Sequence, residues 1–142
     1  MSESVLTSAR DGKDLVRVFH VVRGIEFHQV VEYNVTVLLE GDIETSYTVA
    51  DNSVVVTTDS IKNITYYLAK ISPHILSPEQ FTLHLGTYLV SMYAHIHRAF
   101  VSLEKLRWSR ITLSGNVDPH PHSFVSDGND KQTVEVEVRI LI

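Results

Sequence analysis

Eight histidines stand out among the 142 residues as groups able to do chemistry. His95-Ile96-His97 and His120-Pro121-His122 each space two imidazoles at i and i+2, which on a strand turns both to one face and can supply two metal ligands. The first pair falls at the end of a predicted helix, where positions i and i+2 diverge and imidazolium groups simply suit the helix C-terminus. The second falls in a polar loop. No carboxylate stands at a recognisable ligand spacing and there is no cysteine, so hydrogen-bonded or surface histidines fit as well and no metal site is assigned. Lys13 and Thr58 carry a different signal. Lys13 lies just before the first predicted strand, in Gly12-Lys13-Asp14, and Thr58 heads a predicted helix in Thr57-Thr58-Asp59-Ser60-Ile61-Lys62-Asn63. A helix N-terminus offers unpaired amide donors and the positive end of a dipole, so the N–H groups of Thr58 and Asp59 can hold a small anion. A lysine of lowered pKa beside it can accept a proton. By type and spacing alone, a solvated lysine and a capping threonine fit the same pattern.

The elements that must position these groups follow from periodicity. Residues 1–12 are small and polar and read as a loose arm. Leu15, Arg17, Phe19 and Val21 alternate with Val16, Val18, His20 and Val22 up to Arg23-Gly24, which predicts a strand. A second strand runs from Phe27 to Leu39, and the two form a hairpin that can carry a bulge. After a polar stretch and the burst Val54-Val55-Val56, Ile61, Ile64, Tyr67 and Leu68 recur at spacings of three and four, predicting a helix with Thr58 as its N-cap. Ser77-Pro78-Glu79-Gln80 is a capping box with proline at the first helical position. Phe81, Leu85, Tyr88, Leu89, Met92 and Ile96 trace one face of the helix that follows, and Phe81, Leu85, Leu89 and Met92 are expected to be buried. Two further strands are predicted over 100–113 and 133–142, separated by a segment rich in Gly, Asn, Asp, Pro and His. The order ββααββ predicts an α+β fold: a four-stranded antiparallel sheet with both helices on one face, in a single module over 13–142.

Composition sets the outer bounds. Apolar residues make up 44% and charged residues 20%, which supports a folded core. A formal charge of -5 has the wrong sign for gripping phosphate backbones, so nucleic acid is not expected as a partner. No apolar run approaches the length of a membrane span, and the first ten residues lack the apolar core of a secretory signal; a soluble, intracellular protein without a membrane partner is expected.

Several blocks, taken in order, resemble the N-terminal half of urate oxidases, particularly the fungal ones. They are Leu38-Leu39-Glu40-Gly41-Asp42-Ile43-Glu44-Thr45-Ser46-Tyr47-Thr48, Ala50-Asp51-Asn52-Ser53, Thr58-Asp59-Ser60-Ile61-Lys62-Asn63 and Ala69-Lys70. The similarity continues through Pro78-Glu79-Gln80-Phe81, Tyr93-Ala94-His95-Ile96-His97, Arg107-Trp108-Ser109-Arg110 and Pro119-His120-Pro121-His122-Ser123-Phe124. The resemblance implies a T-fold module, whose ββααββ order matches the one read from periodicity. It implies oxidation of urate by dioxygen to 5-hydroxyisourate and hydrogen peroxide, with neither metal nor organic cofactor. It also implies roles: a proton-relay dyad of Lys13 and Thr58 as catalytic residues, and substrate contacts from Thr58 and from the main chain at Asp59. Urate must lose protons to become an electron-rich anion, so a base beside a helix-end anion site is what such a reaction needs.

The family pattern extends beyond these residues. Its chains hold two T-fold modules in tandem, and the second supplies the stacking phenylalanine, the arginine and glutamine clamp, and the asparagine and histidine near the oxygen site. None of these has a counterpart here. The isolated chain is therefore expected to be inactive without further T-fold modules, whether a complementary second half or other subunits of a homo-oligomer. The tyrosine usual before Gly-Lys is replaced by Asp11. A peroxisomal location is implied by the resemblance, and a cytoplasmic one if the chain ends at Ile142, since no C-terminal peroxisomal tripeptide is present. Two other readings remain open: a T-fold assembly module without catalysis, and a single-module enzyme acting on a pterin or purine with zinc held by His120 and His122.

Overall fold

The computed structural model describes residues 10–41, 56–111 and 121–140. Its elements are β1 (Arg10–Arg23), β2 (His28–Gly41), α1 (Thr58–Ile71), α2 (Pro78–Met92), β3 (Ile96–Arg110) and β4 (Phe124–Arg139). All neighbouring strands are antiparallel and lie in the order β1-β2-β3-β4. Both helices pack on the sheet, α1 against β1 and α2 against β3 and β4. The fold is the α+β arrangement expected from the sequence.

The core lies between helices and sheet because the alternating residues of each strand bring one β-branched or aromatic set to the covered face. Val16 and Val18 of β1, Tyr33, Val35, Val37 and Leu39 of β2, and Ala99, Val101 and Leu103 of β3 are buried there against Ile61, Leu68, Phe81, Leu85 and Leu89. The Phe81 ring stacks on Tyr33 with centroids 5.8 Å apart. Tyr33 donates its hydroxyl hydrogen to the Ile75 carbonyl between the helices, and burial, followed by the Glu79 charge, raises its pKa. Gly86 lets α2 settle on β4, because a Cβ there would come within 2.8 Å of the Val138 Cγ2. Phe81 has no exposed surface. Phe81→Ala is accordingly expected to cost about 3–5 kcal/mol in denaturant unfolding, because the void spans the junction of α2 and β2.

The opposite face carries a polar and aromatic set. Glu32, only 5% exposed, accepts hydrogen bonds from Arg17 Nε at 2.7 Å and Trp108 Nε1 at 2.8 Å, linking β1, β2 and β3. Phe19 meets the Trp108 ring edge-on at 5.5 Å. Farther along, Arg98 lies 3.7 Å from Glu40 and 3.1 Å from Glu137.

Several expectations are corrected. β1 starts at Arg10, inside the expected arm, because Arg10, Asp11 and Gly12 pair with Glu40, Leu39 and Leu38. Met92 is 54% exposed as the last residue of α2, and Tyr67 is 52% exposed, off the buried stripe of α1. Helix α2 stops at Met92, where Tyr93 turns to extended backbone and its N–H bonds the Leu89 carbonyl. Ile96 then opens β3, opposite Gly41. β4 begins at Phe124, well before the expected start at Thr133, because a register shift between Leu106 and Trp108 lets 124–126 pair with Trp108, Ser109 and Arg110.

Candidate functional site

Lys13 stands on β1 opposite Val37, so the register places it on the helix-covered face. It is half-buried. Directly after it the pairing slips: Lys13 is opposite Val37 but Val16 is opposite Val35, leaving Asp14 and Leu15 facing the single residue Thr36. Leu15 takes a positive φ of 51°. Its N–H points to Thr36 Oγ1 at 3.5 Å, and the Thr36 hydroxyl donates to Asp14 Oδ1.

The N-cap of α1 is Thr57 and not Thr58, a correction settled by the hydrogen bonds. The Thr57 hydroxyl oxygen accepts from the Ser60 amide at 3.1 Å, and the Thr57 carbonyl accepts from Ile61 N at 3.1 Å. Thr58 and Asp59 therefore occupy the first two helical positions, where both are exposed. First-turn amides have no intrahelical acceptor; with Ser60 N capped, those of Thr58 and Asp59 remain to meet an anion. Asp59 also sits where a carboxylate favours the helix dipole. The packing of α1 on β1 brings together the two elements that carry Lys13 and the Thr58-Asp59 turn.

The histidine pairs are separated in the structure or only partly described. His95 lies in the turn before β3 and His97 on the strand, away from the helix end where the sequence put them. His120 lies outside the described residues. His122 instead meets His28, with ring centroids 4.2 Å apart. No group of three or more His, Cys, Asp or Glu side chains able to hold a metal occurs among the described residues.

Sequence reading missed what holds His28 and His122 together. Arg110 donates from Nη1 to the Pro121 carbonyl at 3.0 Å and from Nη2 to the His28 carbonyl, while its guanidinium lies over the Phe27 and Phe124 rings at 4.7 and 5.0 Å. His28 N also donates to the Pro121 carbonyl at 3.0 Å. The Arg107-Trp108-Ser109-Arg110 and Pro119 to Phe124 blocks were visible, but their mutual contact was not. Burial, then the nearby His122, Arg23 and Arg110 charges, lower the His28 pKa. The neutral ring is thus favoured in the folded state, so the contribution of His28 to stability is lost as pH drops through the ordinary histidine value of about 6.5. The thermal midpoint is expected to decline between pH 7 and pH 5, with a shallower slope in His28→Gln; identical slopes would remove His28 from the effect.

A four-stranded antiparallel sheet bearing two helices on one face, in ββααββ order, defines a T-fold module. The chain belongs to the uricase family: residues 9–137 match that family's model. It is 49% identical over 139 residues to the uricase of Aspergillus flavus, covering 95% of this chain and 44% of that one. It is 38% identical to uricase-2 isozyme 1 of Glycine max, covering 92% and 41% respectively. Among solved structures, the uricase of Arthrobacter globiformis superposes with a TM-score of 0.85 at 29% identity, over 97% of this chain and 45% of that one. The chain spans about half the length of the curated relatives it matches.

Proposed function

We propose that this chain forms the proton-relay part of a urate oxidase site, with Lys13 and Thr58 as the dyad and the Thr58 and Asp59 amides as donors to the purine anion. The family match over 9–137 carries the reading. The location of Lys13 on the face that α1 covers, and of Thr58 and Asp59 in the first turn of α1, supports it. In this reading Lys13 accepts a proton that Thr58 passes from urate, and the helix N-terminus stabilises the anion left behind. The anion gives two electrons to dioxygen and adds water; urate, O2 and H2O become 5-hydroxyisourate and H2O2. The chain's residues move protons and hold charge, while dioxygen is the oxidant.

Stacking and clamping of the purine fall to a second module. Both outer strands, β1 and β4, have an edge on which a further module can add. A peroxisomal location belongs to the same reading, and microscopy of the tagged gene product checks it. The test of function is complementation with the second half of the Aspergillus flavus relative. The 142-residue chain alone is expected to consume no measurable oxygen with urate, because losing the positioning of a substrate can remove several kcal/mol of transition-state stabilisation, about tenfold in rate per 1.4 kcal/mol. The mixture is expected to co-elute on size-exclusion chromatography and to consume oxygen. Robust turnover by the chain alone, or a co-eluting assembly that binds a urate analogue and turns nothing over, would overturn the reading.

A further inference from the structure

We propose that Thr36 and Asp14 are positioning residues that hold a β-bulge in β1, and that this bulge turns Lys13 to the face where α1 lies; the inference deepens, and rests on, the reading of Lys13 as the base.

Side chains alternate along a strand, so residues three apart point to opposite faces. Val16 and Val18 are buried under the helices. In a regular strand Lys13 would share the uncovered face with Leu15, Arg17 and Phe19, away from the start of α1. The bulge inserts one residue: Asp14 and Leu15 on β1 stand against Thr36 alone on β2. After the insertion Lys13 and Val16 lie on the same face, opposite Val37 and Val35, both of which are fully buried.

The bulge is held against a cost. Leu15 adopts φ 51°, a left-handed conformation that favours glycine. Its side chain is 65% exposed, so packing does not repay the strain. What fixes the conformation is the Thr36 hydroxyl, which accepts from the Leu15 amide and donates to the Asp14 carboxylate, tying both inserted residues to the one that faces them. Strain retained beside a candidate base, without gain in burial, marks a conformation kept for where it aims a side chain.

The test reads the surroundings of Lys13 directly, in the chain by itself. Each lysine is acylated with a trace of acetic anhydride across a pH series and quantified by peptide mass spectrometry, with exposed Lys62 on α1 as internal reference. Thr36→Val removes the hydroxyl at nearly constant volume. It is expected to raise Lys13 acylation several-fold toward that of Lys62 and to move its pH profile, while Lys105 and Lys131 keep their rates. Thr36→Ser, which retains the hydroxyl, is expected to restore the original profile, a rescue that mere loss of packing would not give. Asp14→Ala removes the other end of the clamp and is expected to act like Thr36→Val, which keeps the test decisive if the valine variant fails to fold. Leu15→Gly, which can adopt the same φ without strain, is expected to leave the profile in place. An unchanged Lys13 profile in both Thr36→Val and Asp14→Ala overturns the inference. Failure of the functional reading is a separate result: Lys13→Ala without effect on turnover in the complemented assembly dismisses Lys13 as base and leaves the acylation data untouched.

Discussion

In an assembly completed by a second T-fold module, Lys13→Ala and Thr58→Ala are each expected to lower urate turnover by about 100- to 10,000-fold, the usual range for losing a positioned proton acceptor or relay. Binding of a non-reacting urate analogue should weaken far less, since a proton relay acts in the transition state and adds little to the ground-state complex. Thr57→Ala is the control. Thr57 caps α1 through the Ser60 amide, so its loss should cost about 1 kcal/mol of stability with turnover nearly intact. The two adjacent threonines thus separate a helix-start effect from a relay effect. If Thr57→Ala and Thr58→Ala lower turnover equally, Thr58 is acting only through the order of the helix end, and the dyad loses one of its members. A double variant of Lys13 and Thr58 should fall little below the worse of the two single variants, because groups that work as a unit are lost as a unit.

What the sequence revealed and what it hid divide along physical lines. The start of α2 was legible because its signals are local: Ser77 accepts from the Gln80 amide at 3.4 Å and Pro78 follows the cap, as the four residues alone imply. The covered face of α2 was legible for the same reason, since three-four spacing needs no knowledge of partners. The cap of α1 was misplaced by one because Thr57 and Thr58 are equally good caps by type, and only the position of the Ser60 amide decides between them. Met92 was misjudged because it is the last helical residue, where the chain already turns toward β3. Two features were hidden by their distance in sequence. The Arg110 latch joins a guanidinium to carbonyls at His28 and Pro121, which no local pattern reports. The aim of Lys13 was misleading in the plain alternation, which would group it with Leu15 and Arg17; the inserted residue that reverses its face contains no glycine to announce it. Of the candidate site, then, the residue types and the helix start were readable, whereas the geometry that brings Lys13 to that face depends on Thr36, a residue on another strand.

Gly12→Ala is expected to produce the second large effect, and to damage the site more than the fold. A Cβ at position 12 would fall 1.7 Å from the Val37 carbonyl oxygen, 2.7 Å from the Val37 carbonyl carbon and 2.9 Å from Leu38 Cα. All three atoms are backbone of β2, so no rotamer change can relieve the contact, and the first residues of β1 must lift away. With them would go the pairing of Arg10 with Glu40 and of Lys13 with Val37, along with the 2.9 Å Arg10–Glu40 ion pair. That ion pair is half-exposed on its Arg10 side and contributes little by itself. Because β1 is an edge strand and its buried residues Val16 and Val18 lie beyond the bulge, the peeling can stop there. The global cost should stay near the 1–3 kcal/mol typical of overpacking. Lys13, however, lies wholly inside the displaced segment, one residue from the substitution, where the bulge sets its face but cannot keep the strand end paired with β2. Turnover in the complemented assembly should therefore fall about as far as in Lys13→Ala, on the order of 100-fold or more, while the unfolding midpoint moves only modestly. Hydrogen exchange gives the structural check: amides of β1 and β2 paired within 10–13 and 37–40 should exchange faster, and those between β3 and β4 should keep their protection. Unchanged exchange in this strip would mean that β1 already tolerates a side chain at position 12, and that the close approach of the two backbones does not hold Lys13 in place.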